Sequence, residues 1–113
     1  MTMPKIVNEV KRAYKKTGYN PICRNWFDRT CNGACALAAL MKYKNPSSKE
    51  SACKLATRLY GEEYVDGFVH GFDYGQDAIE ELRLYPRVSN SYTRGVRAGA
   101  AAKRAIHPVV SAA

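Results

Sequence analysis

Apolar positions along this chain recur at intervals of three and four, and each such run predicts a helix. Ile6, Val7, Val10 and Tyr14 form the first run. Pro4 stands where a first helical turn tolerates a missing N–H, so residues 4–16 read as an amphipathic helix closed by Gly18. Residues 19–31 break the pattern: Asn20, Pro21, Asn25 and Asp28 surround Trp26 and Phe27, which predicts a connecting loop pinned to the core by two aromatics. From Ala34 to Tyr43 the chain is apolar on nearly every face, as a buried central helix is, and Asn45 with Pro46 ends it near residue 44. Ser47 with Glu50 three residues on is a capping-box pattern, and Ala52, Leu55, Ala56 and Leu59 carry a stripe to Gly61, giving a third helix over 48–60. Glu62 and Glu63 open a fourth, in the turn where the helix dipole favours acids, and it runs to about residue 84 before Tyr85 and Pro86 stop it. Ser89 or Asn90 caps a last helix over 91–106, which His107 and Pro108 end, leaving a short tail. No stretch alternates with period two for more than a few positions, so no sheet is expected. The predicted fold is all-α, a single helical domain over 1–113 built as a compact bundle of about five helices.

Glycine spacing sharpens that picture. Gly67, Gly71 and Gly75 repeat every four residues on the fourth predicted helix, and Gly95 and Gly99 do so on the fifth, beside Ala98, Ala102 and Ala105. An interior glycine costs a helix about 0.5–1 kcal/mol against alanine, so five of them require a compensating contact. Small residues four apart let a second helix approach closely. The last two helices are therefore expected to pack through glycine faces, within one chain or across a homodimer.

Composition and charge turn the question towards partners. The chain has 113 residues, 46% of them hydrophobic and 25% charged, as in an ordinary folded protein. No apolar run is long enough to span a bilayer, and the first eighteen residues are basic and polar rather than a secretory signal, so no membrane association and a cytoplasmic location are expected. The four cysteines, Cys23, Cys31, Cys35 and Cys53, are then expected to be reduced. The net charge of +8 is segregated: residues 1–60 hold 12 Lys or Arg against 3 acids, residues 61–84 hold 1 against 7, and residues 85–113 hold 5 against none. Basic ends favour polyanions or acidic protein surfaces, and the acidic middle favours basic ones.

Three constellations carry possible chemistry. Lys11, Arg12, Lys15, Lys16, Arg24 and Arg29 lie beside Tyr14, Tyr19 and Trp26, and cations interleaved with aromatics suit single strands and RNA loops. Leu55, Ala56, Leu59, Gly61, Tyr64 and Val65 resemble the turn of a DNA-binding helix-turn-helix. That resemblance implies a recognition helix after Gly61, which here would open with Glu62, Glu63 and Asp66 and meet repulsion from phosphates. Cys31-Asn-Gly-Ala-Cys35 ahead of an apolar helix resembles the nucleophile segment of papain-like cysteine peptidases, which implies a thiol activated at a helix N-terminus and a histidine partner, His70 or His107. The spacing of the four cysteines and two histidines matches no paired zinc knuckle, and neither a metal nor a cofactor is expected.

With no convincing acid–base pair, phosphate loop or triad, the sequence reads as a non-enzymatic helical module that binds a macromolecule, foremost a protein partner, as an adaptor or inhibitor. Nucleic-acid binding by the basic N-terminal region is the alternative, and a cysteine enzyme the third reading.

Overall fold

The computed structural model describes residues 4–112, so the ends of the 1–113 range, residues 1–3 and 113, lie outside the described residues. Among the described residues six helices and four short strands form a mostly helical, compact globule. In chain order they are α1 (Lys5–Thr17), β1 (Asn20–Cys23), β2 (Phe27–Asp28), β3 (Gly33–Ala34), α2 (Ala36–Lys44), α3 (Ala52–Tyr60), α4 (Glu62–Tyr74), α5 (Gln76–Glu81), α6 (Asn90–Ile106) and β4 (Val109–Val110).

The small sheet corrects the all-α expectation. Its order is β2-β3-β1-β4, with β1 parallel to both β3 and β4, and β2 antiparallel to β3. No strand exceeds four residues, and β1 contains a proline, so none is long enough for period-two alternation to register. Partner choice is also non-local: Ile22 pairs with Val109, across nearly the whole chain. Segment 19–31 is thus partly strand rather than only loop, and the C-terminal tail is tied down, with the Ser111 amide donating to the Cys23 carbonyl at 3.1 Å. Because β3 takes up Gly33 and Ala34, α2 starts two residues later than predicted, with Cys35 extended ahead of it.

Two further boundaries move. Ser51, not Ser47, caps α3: its hydroxyl accepts from the Lys54 amide at 3.2 Å, while Glu50 turns out to pair with Arg58 at 2.7 Å. The predicted helix over 62–84 is broken at Gly75, whose φ of +59° and ψ of −124° only glycine adopts readily. The break has a topological reason. α4 and α6 run in the same direction, since Gly67 lies at Tyr92 and Val96 and Gly71 at Val96 and Ala100, so the chain between them must travel back. α5 begins that return, and His70 Nε2 on α4 holds Glu81 Oε2 at its end, 2.5 Å away.

The core lies where α1, α2, α4 and α6 meet. Val7 and Val10 from α1, Leu37, Leu40 and Met41 from α2, and Phe68 and Phe72 from α4 are all essentially inaccessible to water. The most extensive contact joins α4 to α6. A Cβ built on Gly67, Gly71, Gly95 or Gly99 would overlap the backbone carbonyl of Tyr92, Val96, Tyr64 or Phe68 respectively, and would lie within 3.0 Å of a backbone nitrogen in each case. Gly75 differs, facing only the Lys103 side chain.

A polar latch fastens β4. Asp28 is 6% exposed; Oδ1 accepts from the Thr30 amide at 3.0 Å and from its hydroxyl at 2.5 Å, and Oδ2 accepts from the Ser111 hydroxyl at 2.8 Å. Hydrogen bonds from the Thr30 and Ser111 side chains favour the carboxylate and hold Asp28 below the usual aspartate value. A folded-state pKa below the unfolded one contributes stability above the unfolded value, near 4, and that contribution is lost as pH falls through the folded value. Thermal unfolding followed by circular dichroism from pH 6 to pH 2 should therefore show an acid decline that is shallower in Asp28→Asn. An identical decline in the variant would remove the latch from the acid response.

Candidate functional site

Trp26 closes the bend over 24–26 and Phe27 opens β2, and each of these neighbours lines a different cavity.

On the Trp26 side, α4 presents Asp66, Val69, His70 and Asp73 at helical spacing on one face. A cavity of about 170 Å³ opens between this face and α2, with Leu37, Phe68 and Phe72 as its apolar floor and Arg24 and Asp73 among its polar lining. A second cavity of about 280 Å³ belongs to the α5 side, where His70, Leu82, Tyr85 and Tyr92 meet. A third, of about 270 Å³, continues the first along α4 towards Val65, Asp66 and the exposed Cys53, and shares Trp26, Val69 and Asp73 with it. The first and third cavities together make one groove with a tryptophan at its centre and a carboxylate in each part.

Asp73 organises the groove. Its Oδ1 accepts from the Arg24 amide at 2.7 Å, and Arg24 takes a left-handed φ of 70°. For a residue with a side chain that backbone costs about 1–2 kcal/mol. The Arg24 guanidinium then lies 4.8 Å from the centroid of the Tyr74 ring. Lys103 reaches across from α6 and donates to the Asp73 carbonyl at 3.3 Å. Burial pushes the Asp73 carboxyl above its ordinary value, opposed by the Arg24 amide and by the charges of Arg24, His70 and Lys103.

On the Phe27 side a cavity of about 360 Å³ is lined by Tyr19, Phe27, Arg29, Asn32 and Lys42, with Asp28 at its inner wall. The Tyr19 and Phe27 rings are 5.8 Å apart at 57°, and Lys42 Nζ stands 6.0 Å from the Phe27 centroid.

The sequence-predicted set is thereby divided. Arg24 and Trp26 belong to the α4 groove and Arg29 to the Phe27 cavity, while Lys11, Arg12, Lys15 and Lys16 are exposed on α1 and line neither. Tyr14 cannot stack on a base, because it is buried with its hydroxyl donating to the Ala34 carbonyl at 2.8 Å. Phe27 is no core anchor but 36% exposed, and Trp26 is only partly buried against the core. Sequence reasoning missed Asp66 and Asp73, although their spacing of seven with Val69 and His70 between is legible as one helix face. It also missed Lys42, which lies on the helix read as apolar on nearly every face.

The four cysteines are free. Cys35 precedes α2, but burial pushes its thiol up to about 12 against the opposing pull of the Ala38 and Leu37 amides, so it stays protonated at neutral pH. His70 is engaged with Glu81. Among the described residues no three His, Cys, Asp or Glu side chains gather as metal ligands, and no helix is long and apolar enough to cross a membrane. No family model matches the chain, and no curated protein or solved structure was found to match it.

Proposed function

We propose that the protein is a non-enzymatic adaptor or inhibitor that binds a basic segment of a protein partner in the α4 groove. The observation that carries this reading is the union of two cavities through Trp26, Val69 and Asp73, with Asp73 lining both and Asp66 the outer one. An apolar floor with a central tryptophan takes a partner's hydrophobic anchor, and buried aromatic anchors dominate the energy of such interfaces. The two carboxylates and the acid-rich segment around them select flanking Lys or Arg and speed encounter. We further infer that α4 and α6 are joined through their glycine faces within one chain; the overlap of each added Cβ with opposing backbone supports this, and it makes α4 a rigid wall for the groove.

Selection from a random-peptide display library tests the assignment. Retained sequences should place an apolar or aromatic residue between Lys or Arg. Trp26→Ala should weaken a selected peptide by about 2 kcal/mol, roughly thirtyfold, and combining Asp66→Lys with Asp73→Lys should abolish retention. Enrichment of acidic or charge-blind peptides would remove the reading.

A further inference from the structure

We propose that the Tyr19–Phe27 cavity is a binding site for single-stranded nucleic acid, in which an unpaired base stacks on Phe27 and the adjoining phosphates meet Lys42 and Arg29. The site lies apart from the α4 groove and shares no lining residue with its two cavities.

Five observations meet here. Of the three phenylalanines, Phe68 and Phe72 are 1% exposed, whereas Phe27 keeps 36% of its surface in contact with solvent at the mouth of a cavity. Tyr19 stands at 57° to it with ring centroids 5.8 Å apart, so the two rings do not stack face to face on each other. Lys42 hovers over the Phe27 ring, and its flexible stem lets the ammonium move from ring to phosphate when a base takes its place. The one carboxylate in the lining, Asp28, is 6% exposed and accepts from Thr30 and Ser111, and the two cations Arg29 and Lys42 outnumber it. Asn32 adds an acceptor: its amide nitrogen donates to the Gly18 carbonyl at 3.3 Å, which leaves its Oδ1 for the edge of a base.

The geometry selects single strands over duplex. The cavity volume of about 360 Å³ is in the range of small-ligand sites and holds one base, whereas a duplex keeps its base faces stacked inside. Charge supports the path of the strand, since the last turn of α1 carries Lys15 and Lys16 just before Tyr19.

Fluorescence anisotropy with labelled oligo(dT), oligo(U) and a mixed-sequence duplex, titrated at low and physiological salt, decides the matter. Single strands should bind more tightly than the duplex, with whichever of oligo(U) and oligo(dT) binds better naming the natural backbone. Phe27→Ala should weaken binding about tenfold. Lys42→Ala should keep the stacking while lowering the slope of log K against log salt by about one. Phe27 is exposed and Lys42 half-buried, and circular dichroism would establish that the variants fold. Absence of binding at low salt, preference for duplex, or an affinity that Phe27→Ala leaves unchanged would each overturn the proposal.

Discussion

Gly71→Leu is expected to abolish cooperative unfolding or to lower the thermal midpoint by ~10 °C or more, the largest effect of any single substitution considered. A glycine in mid-helix is ordinarily a weakness, and replacing it with alanine gains about 0.5–1 kcal/mol. Here the sign reverses. A Cβ at Gly71 would overlap the Val96 carbonyl oxygen and reach to 2.9 Å from the Ala100 nitrogen. Both are backbone atoms of α6, so relief requires the helices to separate rather than a side chain to rotate.

Separation would cost the contact along two helical turns, because Gly67, Gly95 and Gly99 meet opposing backbone in the same way. Overpacking of that kind costs about 3 kcal/mol or more for leucine, and at about 4–8 °C per kcal/mol for a domain near this size it accounts for the predicted shift. Gly71→Ala should fall between, at about 1–3 kcal/mol. Gly18→Ala is the control: an added Cβ there meets nothing within 4 Å, but φ is +77°, so only the backbone term of about 1 kcal/mol is lost. A Gly71→Ala variant as stable as the parent in a calorimetric scan would show that the helices part at little cost, and the rigid-wall argument for the groove would fail with it.

How far residues announce such features depends on the range of the interaction. The stripe Ile6, Val7, Val10 and Tyr14 announces α1 because helical periodicity is local, and all four are buried. The break at Gly75 is not announced, because it goes with the parallel course of α4 and α6, whose contacting residues, such as Gly71 and Val96, are 25 positions apart. Nor is the pairing of Ile22 with Val109, which needs both ends of the chain in one place. The basic cluster shows the same limit for function. Composition groups Arg24, Trp26 and Arg29 within six residues, but the bend over 24–26 leaves Trp26 lining one cavity while Phe27, at the start of β2, lines another. Asp73 then draws Arg24 to the acidic side, and no single-residue tendency encodes that division.

Phe68→Ala should be nearly as damaging as the glycine substitution, by the opposite route. Phe68 is 1% exposed, stacks on Phe72 with centroids 6.2 Å apart, meets Tyr64 at 6.3 Å, and supplies the carbonyl that fills the space left by Gly99. Removing a buried phenyl costs about 3–5 kcal/mol, the upper end applying where the surroundings cannot collapse. Collapse is hindered here: the backbone of Phe68 is clamped against α6, and the side chain already borders the cavity of about 170 Å³. The new space therefore merges with an existing apolar one instead of closing. Phe68→Leu, which keeps most of the volume, should cost under about 1.5 kcal/mol. Because an enlarged apolar cavity takes up small apolar solutes, benzene should raise the thermal midpoint of Phe68→Ala more than that of the parent. Equal stability of the alanine and leucine variants, with no benzene response in either, would show that the floor of the groove repacks freely and does not stand as a preformed site.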